Sequence, residues 1–199
     1  MTRIALAAAL VLALAACSRQ QPSAAATGSA APPASGSAST PASAPAPAAE
    51  SRYIPFTKCK LVETKEDEDW SISKCEALPG YQVFIDYGDA RDDLRLVPRG
   101  GKEVNLGLPY IGGGGFNALG PTFEWRGKTT GGTFTPHALI VRNAKSEDPE
   151  HSERQTSLLA VIDLAKLCVV ALVRPGPDQN QRAQEIADAG TQACLPRPG

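Results

Sequence analysis

The chain predicts an α+β domain: a mostly antiparallel β-sheet with one C-terminal helix packed on it and two disulfides. Three observations lead there. Residues 51–199 carry many short runs rich in β-branched and aromatic residues, set apart by Gly, Pro, Asp and Asn. Only one segment, Asp178 to Ala189, has helical spacing and a glycine stop, Gly190. The order of many strands followed by one helix suits an antiparallel sheet covered on one face.

The elements follow in order. Phe56 to Val62 reads as a first strand, Glu63 to Asp69 as a charged, solvated tip, and Trp70 to Cys75 as the returning strand of a hairpin. Tyr81 to Tyr87 and Asp92 to Val97 read as the next two strands. Gly101 to Pro121, with four consecutive glycines, reads as a long mobile loop. Thr122 to Arg126 and His137 to Arg142 form a strand pair around the turn-rich Gly127 to Gly132. Lys145 to Glu153 is a polar loop. Ser157 to Leu164 and Leu167 to Val173 are the strongest strands, joined at Ala165-Lys166. In the helix, Ala183, Ile186, Ala187 and Ala189 are the inward-facing candidates.

Before the domain the chain is different. Arg3 precedes Ile4 to Ala16, an unbroken apolar run of 13 residues. A spanning helix needs roughly 20, so a short apolar core after a basic start reads as a secretory signal. It ends in Leu14-Ala15-Ala16-Cys17. A branched apolar residue, two small residues and a cysteine resemble the lipobox of bacterial lipoproteins. The resemblance implies cleavage before Cys17, a diacylglyceryl thioether on its sulfur, usually a third acyl chain on its amine, and stable attachment to a membrane. Ser18, where an Asp tends to retain such proteins at the inner membrane, implies the outer membrane. The expected division is therefore a signal peptide over 1–16, a lipidated cysteine and linker over 17–50, and the globular domain over 51–199. The linker is almost entirely Ala, Ser, Pro, Gly and Thr, with no aromatic residue. Such a composition cannot bury enough surface to offset its ordering entropy.

Cys17 aside, four cysteines remain: Cys59, Cys75, Cys168 and Cys194. In an exported domain an even count reads as disulfides, and four cysteines allow three pairings. Cys59 with Cys75 and Cys168 with Cys194 are favoured, because both close short local loops, and the second would staple the helix to the sheet. The competing reading, a four-cysteine zinc site, lacks any Cys-x-x-Cys pair. The chain holds 20 Lys+Arg and 21 Asp+Glu. Arg3, Arg19 and Glu50 precede the domain, which leaves 18 against 20. That balance is no footprint for nucleic acid.

The motifs that carry chemistry elsewhere are incomplete here. Ser71-Ile72-Ser73-Lys74 matches the Ser-x-x-Lys of penicillin-binding enzymes, but it alternates like a strand and no Lys-Thr-Gly follows. Gly127-Lys128-Thr129 matches the end of a P-loop without its first glycine. His137 and His151 cannot supply a zinc site, and no metal site or cofactor is expected. Asp86, Asp89, Asp92 and Asp93 cluster between two strands, as calcium ligands or as ordinary turn residues. Gly112, Gly113, Gly114, Gly115 and Phe116 form the candidate binding loop.

A second resemblance covers most of the domain. Cys59 and Cys75, Gly80-Tyr81, Glu124-Trp125-Arg126, Pro136 to Arg142, Cys168-Val169-Val170, Arg182 to Ala189 and Cys194 fall in the order seen in a group of exported, uncharacterised proteobacterial proteins. Asn143 stands where that group commonly has Trp, and Leu172-Val173-Arg174-Pro175 where it tends to have Tyr-Val-Asp-Ala. The resemblance implies fold and compartment, not an activity. The expectation is a non-enzymatic lipoprotein of the outer membrane, facing the periplasm or the cell surface, that binds an envelope protein or glycan. The alternatives are a lysozyme inhibitor, plugging its target with the loop 112–116, and an envelope hydrolase.

Overall fold

Strand pairing dominates the computed structural model, which describes residues 48–197 except 114, 147 and 149. The signal peptide, lipobox and nearly all of the linker lie outside the described residues. The strands are β1 (Glu50–Pro55), β2 (Cys59–Lys65), β3 (Trp70–Cys75), β4 (Tyr81–Gly88), β5 (Arg91–Pro98), β6 (Val104–Asn105), β7 (Asn117–Thr130), β8 (Thr133–Ser146), β9 (Gln155–Asp163) and β10 (Cys168–Val173), followed by helix α1 (Gln179–Ala189). One sheet runs in the order β10-β9-β8-β7-β5-β4-β3-β2, with β1 paired to β7 and β6 to β5. Every pairing is antiparallel except a single parallel bridge, Arg91 to Asn117, between β5 and β7.

That lone bridge lets the sheet fold over. β7 gives one edge to β8 along its length and the other to β1, from Glu50 opposite Gly127 to Pro55 opposite Thr122. Val83, Leu94 and Leu96 from β4 and β5 pack in one core with Phe123, Trp125, Leu139, Val141, Ala160 and Ile162 from β7, β8 and β9. Tyr81 stacks toward Trp125 with ring centroids 5.5 Å apart. The alternate residues Ala138, Ile140, Leu159 and Val161 form a second core with Ala183 and Ala187 of α1. β8 and β9 are thus covered on both faces, which is why Leu158 to Ile162 is a continuous buried run.

Both local disulfides are present, Cys59–Cys75 and Cys168–Cys194. Cys59 and Cys75 are direct partners across the β2–β3 hairpin. Beyond Cys194, the Leu195 N–H donates to the Val169 carbonyl at 2.8 Å, so the tail runs along β10.

Several sequence expectations need correction. Glu50–Pro55 is a strand, and Phe56–Lys58 is a 3₁₀ turn rather than the start of one. The linker boundary therefore falls one residue inside an ordered strand. The two segments read as a short pair are one hairpin of 14-residue strands turning at Gly131-Gly132. Lys145 belongs to β8 and is buried, not part of a polar loop. Ala189 is exposed, and Gln179 takes a buried place at the other end of the helix.

The largest correction concerns residues 101–121. The segment contains β6 and the start of β7, and Leu106, Leu108 and Ile111 are core residues. Beyond β6, several of its backbone polar groups find side-chain partners instead of a ladder. The Asp93 carboxylate accepts from the N–H groups of Gly107 (3.1 Å) and Leu108 (2.9 Å). The Asn143 amide donates to the Leu108 carbonyl. The Lys145 ammonium donates to the carbonyls of Pro109 and Ile111, both at 3.0 Å, and of Gly113. The segment is a strap nailed down from below, not a free loop.

Candidate functional site

The carboxylates that the sequence groups together each have a protein partner. Asp86 holds Arg95 through two hydrogen bonds, at 2.8 and 2.7 Å. Asp89 pairs with Arg91. Asp92 accepts from the Leu119 N–H at 2.8 Å, and Asp93 accepts from the strap and from Leu94. Burial raises the Asp92 and Asp93 carboxyls above the usual range, and the backbone N–H groups oppose that shift. Among the described residues no cluster has the donors to hold a metal ion. In the candidate loop, Gly112 lies against Leu172, Gly115 against the Ser146 carbonyl, and Phe116 under the Arg91 guanidinium. Gly114 lies outside the described residues. Ser71 and Lys74 stand on β3, at strand rather than helix spacing.

Converging polar groups occur elsewhere, in a cleft of about 510 Å³ between the β7–β8 hairpin and the C-terminal end of α1. Lys128, Thr130, Thr135, His137, Asp163 and Asp188 supply its polar lining, and Ala165, Ala187 and Gly190 the rest. Two local features build it. The register slips between Arg126 and Gly127: Arg126 faces Ala138 but Gly127 faces Pro136, so His137 is the extra residue of a β-bulge. A bulge re-aims a side chain, and proline is tolerated there because no ladder bond is required of it. Gly127 is required opposite, since a Cβ would meet the Phe134 ring and the Thr135 carbonyl, each at 2.5 Å.

Above the cleft, two rows of side chains face each other. Glu124, Arg126, Lys128 and Thr130 alternate along one face of β7, while Gln184 and Asp188 lie one turn apart on α1. The Gln184 amide donates to Glu124 at 2.7 Å. Arg126 donates through Nε (3.1 Å) and Nη2 to the two oxygens of Asp188. Arg126 also donates to the Ser51 hydroxyl (2.8 Å), which donates to Glu124 (2.6 Å), so β1 joins the network. His137 Nε2 lies 3.2 Å from Asp188 Oδ1 and must carry the hydrogen there, because a carboxylate only accepts. Burial disfavours the charged form of Asp188, but Arg126 and then His137 outweigh it and hold the carboxyl below its usual range. Across the cleft, Asp163 accepts from the N–H groups of Ala165 and Lys166 and from the Lys166 ammonium (2.8 Å). These donors outweigh its desolvation and lower its pKa as well.

The sequence reading missed this site. Sequence spacing excludes a zinc site at His137 and His151 and places Lys128 in an incomplete P-loop, and neither reading brings the two residues together. Arg126 and Asp188 are 62 residues apart and His137 and Asp188 51 apart, so no local spacing joins them. The one usable signal is Pro136 inside a strand, which marks the bulge. His151 is exposed beside Glu153.

Comparison with protein-family models, with curated proteins and with solved structures gives no match. The site therefore has to be read from its own chemistry. It offers a polar recess with a carboxylate-anchored imidazole and an ammonium. Among the described residues no hydroxyl is hydrogen-bonded to His137 as a nucleophile would be.

Proposed function

We propose that the chain is a lipoprotein of the outer membrane, lipidated on Cys17, whose domain binds an envelope protein or glycan and does not act as an enzyme. The observation that carries this reading is the run Leu14-Ala15-Ala16-Cys17 at the end of a short apolar segment. Ser18 supports outer-membrane placement. The pairing of the other four cysteines into disulfides is what an oxidising compartment leaves. The cleft supports binding over catalysis, because its two carboxylates are already engaged by cations and its histidine has no nucleophile beside it. Neither lysozyme inhibition nor hydrolysis is favoured by any particular contact.

Metabolic labelling with palmitate is the test. The intact chain should take up label and sediment with membranes, and Cys17→Ser should lose both properties. An unlabelled wild-type chain would overturn the lipoprotein reading. Crosslinking in intact cells followed by envelope pulldown addresses the partner.

A further inference from the structure

The facing rows of β7 and α1 have nearly matched periods. Alternate strand residues recur about every 6.6 Å and helix residues four apart about every 6 Å. Glu124 therefore meets Gln184, and Arg126 meets Asp188. The next strand position is Lys128, and its counterpart would be residue 192. The helix has ended by then: Gly190 turns left-handed, and its N–H caps the Ile186 carbonyl. The third rung has an ammonium on the strand side and open cleft where the helix would have placed an acceptor. Lys128 has no ion-pair or hydrogen-bond partner among the described residues.

The charges around the cleft sharpen this. Asp188 is taken by Arg126 and His137, and Asp163 by Lys166. Just past the helix, Lys166 also donates to the carbonyls of Gly190 and Gln192. What remains unbalanced is the Lys128 ammonium, with the Thr130 and Thr135 hydroxyls as neighbours and Ala165 and Ala187 as a small apolar surface. The volume is within the range of about 300–1,000 Å³ of small-molecule sites.

We propose that this cleft binds a small carboxylate-bearing molecule, whose carboxylate takes the place opposite Lys128 that α1 leaves open. This deepens the binding reading given above but does not depend on Cys17 being lipidated. A carboxylate rather than a bulkier oxyanion suits a rung whose two neighbours are an amide–carboxylate and a guanidinium–carboxylate pair. The Thr hydroxyls then take polar groups of the ligand, and the alanines its short aliphatic part. The same chemistry is offered by a sugar acid and by the C-terminus of a small peptide.

The test is a titration of the full chain in detergent micelles, following backbone amide resonances, with glucuronate, alanyl-alanine, glucose and inorganic phosphate. Glucuronate or alanyl-alanine should shift the amides of Lys128, His137 and Ala187. Whichever does so identifies the source. Lys128→Met should weaken that binding about tenfold or more, the scale of a lost hydrogen bond to a charged group, and Lys128→Arg should restore it. Unchanged amide positions away from the cleft show that each variant is folded. The proposal is overturned if neither acid shifts the cleft amides, if glucose does so equally, if phosphate alone binds, or if Lys128→Met leaves the titration unchanged. Palmitate labelling is unaffected by any of these outcomes, so the two readings fail separately.

Discussion

Lys145→Met isolates the device that holds the strap over the core. Lys145 is 4% exposed, and its ammonium reaches three backbone carbonyls and, among the described residues, pairs with no carboxylate. Methionine keeps the length and the packing of the stem but leaves those carbonyls without a donor. Gly113 is exposed, so water can replace the lysine there; Pro109 and Ile111 are buried. Two buried acceptors at about 1–3 kcal/mol each give a gross loss of about 2–6 kcal/mol. Removing the ammonium also removes its own desolvation, which is what holds Lys145 below its ordinary pKa. The net expectation is a loss of about 2–4 kcal/mol. At a urea slope of about 2 kcal/mol per molar, the unfolding midpoint should fall by about 1–2 M. Buried Trp125 supplies the fluorescence signal. The pH dependence has a definite sign. The folded state gives up the Lys145 proton before the unfolded chain does, so between the lowered pKa and 10.5 the unfolded chain binds more protons. The contribution of this residue to stability therefore rises with pH across that window, and the gap between wild type and Lys145→Met should widen there. A loss below about 0.5 kcal/mol, or a gap that narrows at alkaline pH, would refute the strap argument.

Two further outcomes follow from the same contacts. Gly127→Ala places a Cβ against the Thr135 carbonyl, which cannot rotate away; a cost of about 1–3 kcal/mol, a Tm lower by several degrees and displaced amides at Thr135 and His137 are expected, and an unchanged Tm would show that the bulge is not held by this glycine. Cys194→Ser opens a loop with a sequence separation of 26 and should cost about 3.5 kcal/mol in the chain-entropy account; amide exchange should speed up around Leu195 while α1 stays protected, and loss of protection throughout α1 would mean that the disulfide alone secures the helix.

That last expectation differs from the one the sequence suggests, and the difference shows where sequence reasoning runs out. From spacing alone, a short helix with few apolar contacts leans on its staple. In the fold, Gln179 donates to the carbonyls of Ser157 (2.8 Å) and Val173 (2.9 Å), and Asp188 clamps Arg126. These anchors come from residues that read as ordinary surface polar groups. The strands β3, β4, β9 and β10 are legible because their apolar residues alternate or run together, as burial on one or two faces demands. The disulfides are legible because each closes a local loop. β1 is hidden because only Ile54 of its six residues is buried, and Pro55 and the Ala/Pro-rich stretch beside it carry the turn signal. The strap 106–113 is hidden because its order comes from Asp93, Asn143 and Lys145, which are distant in sequence, and not from any periodicity of its own. The candidate site is hidden for the same reason: each rung joins a strand residue to a helix residue some sixty positions later.

The location of the cleft follows from element lengths. A 14-residue strand extends about 46 Å and an 11-residue helix about 16 Å. A single short helix laid across β8 and β9, reaching β7 only at its edge, must leave part of the β7–β8 face uncovered. Where it does cover the strand, Glu124 and Arg126 are satisfied by Gln184 and Asp188. Where it stops, Lys128, Thr130 and Thr135 keep their polar groups for something else. A surface lysine standing alone is ordinary. This one continues a row whose two preceding members are buried and paired with the helix, next to a histidine that a bulge has turned to the same side. Extending α1 by one further turn, with a glutamate at position 192, would close the recess by the chain's own means. The structure instead ends the helix at Gly190, and with Asp188 paired to Arg126 and Asp163 to Lys166 the position opposite Lys128 is left open.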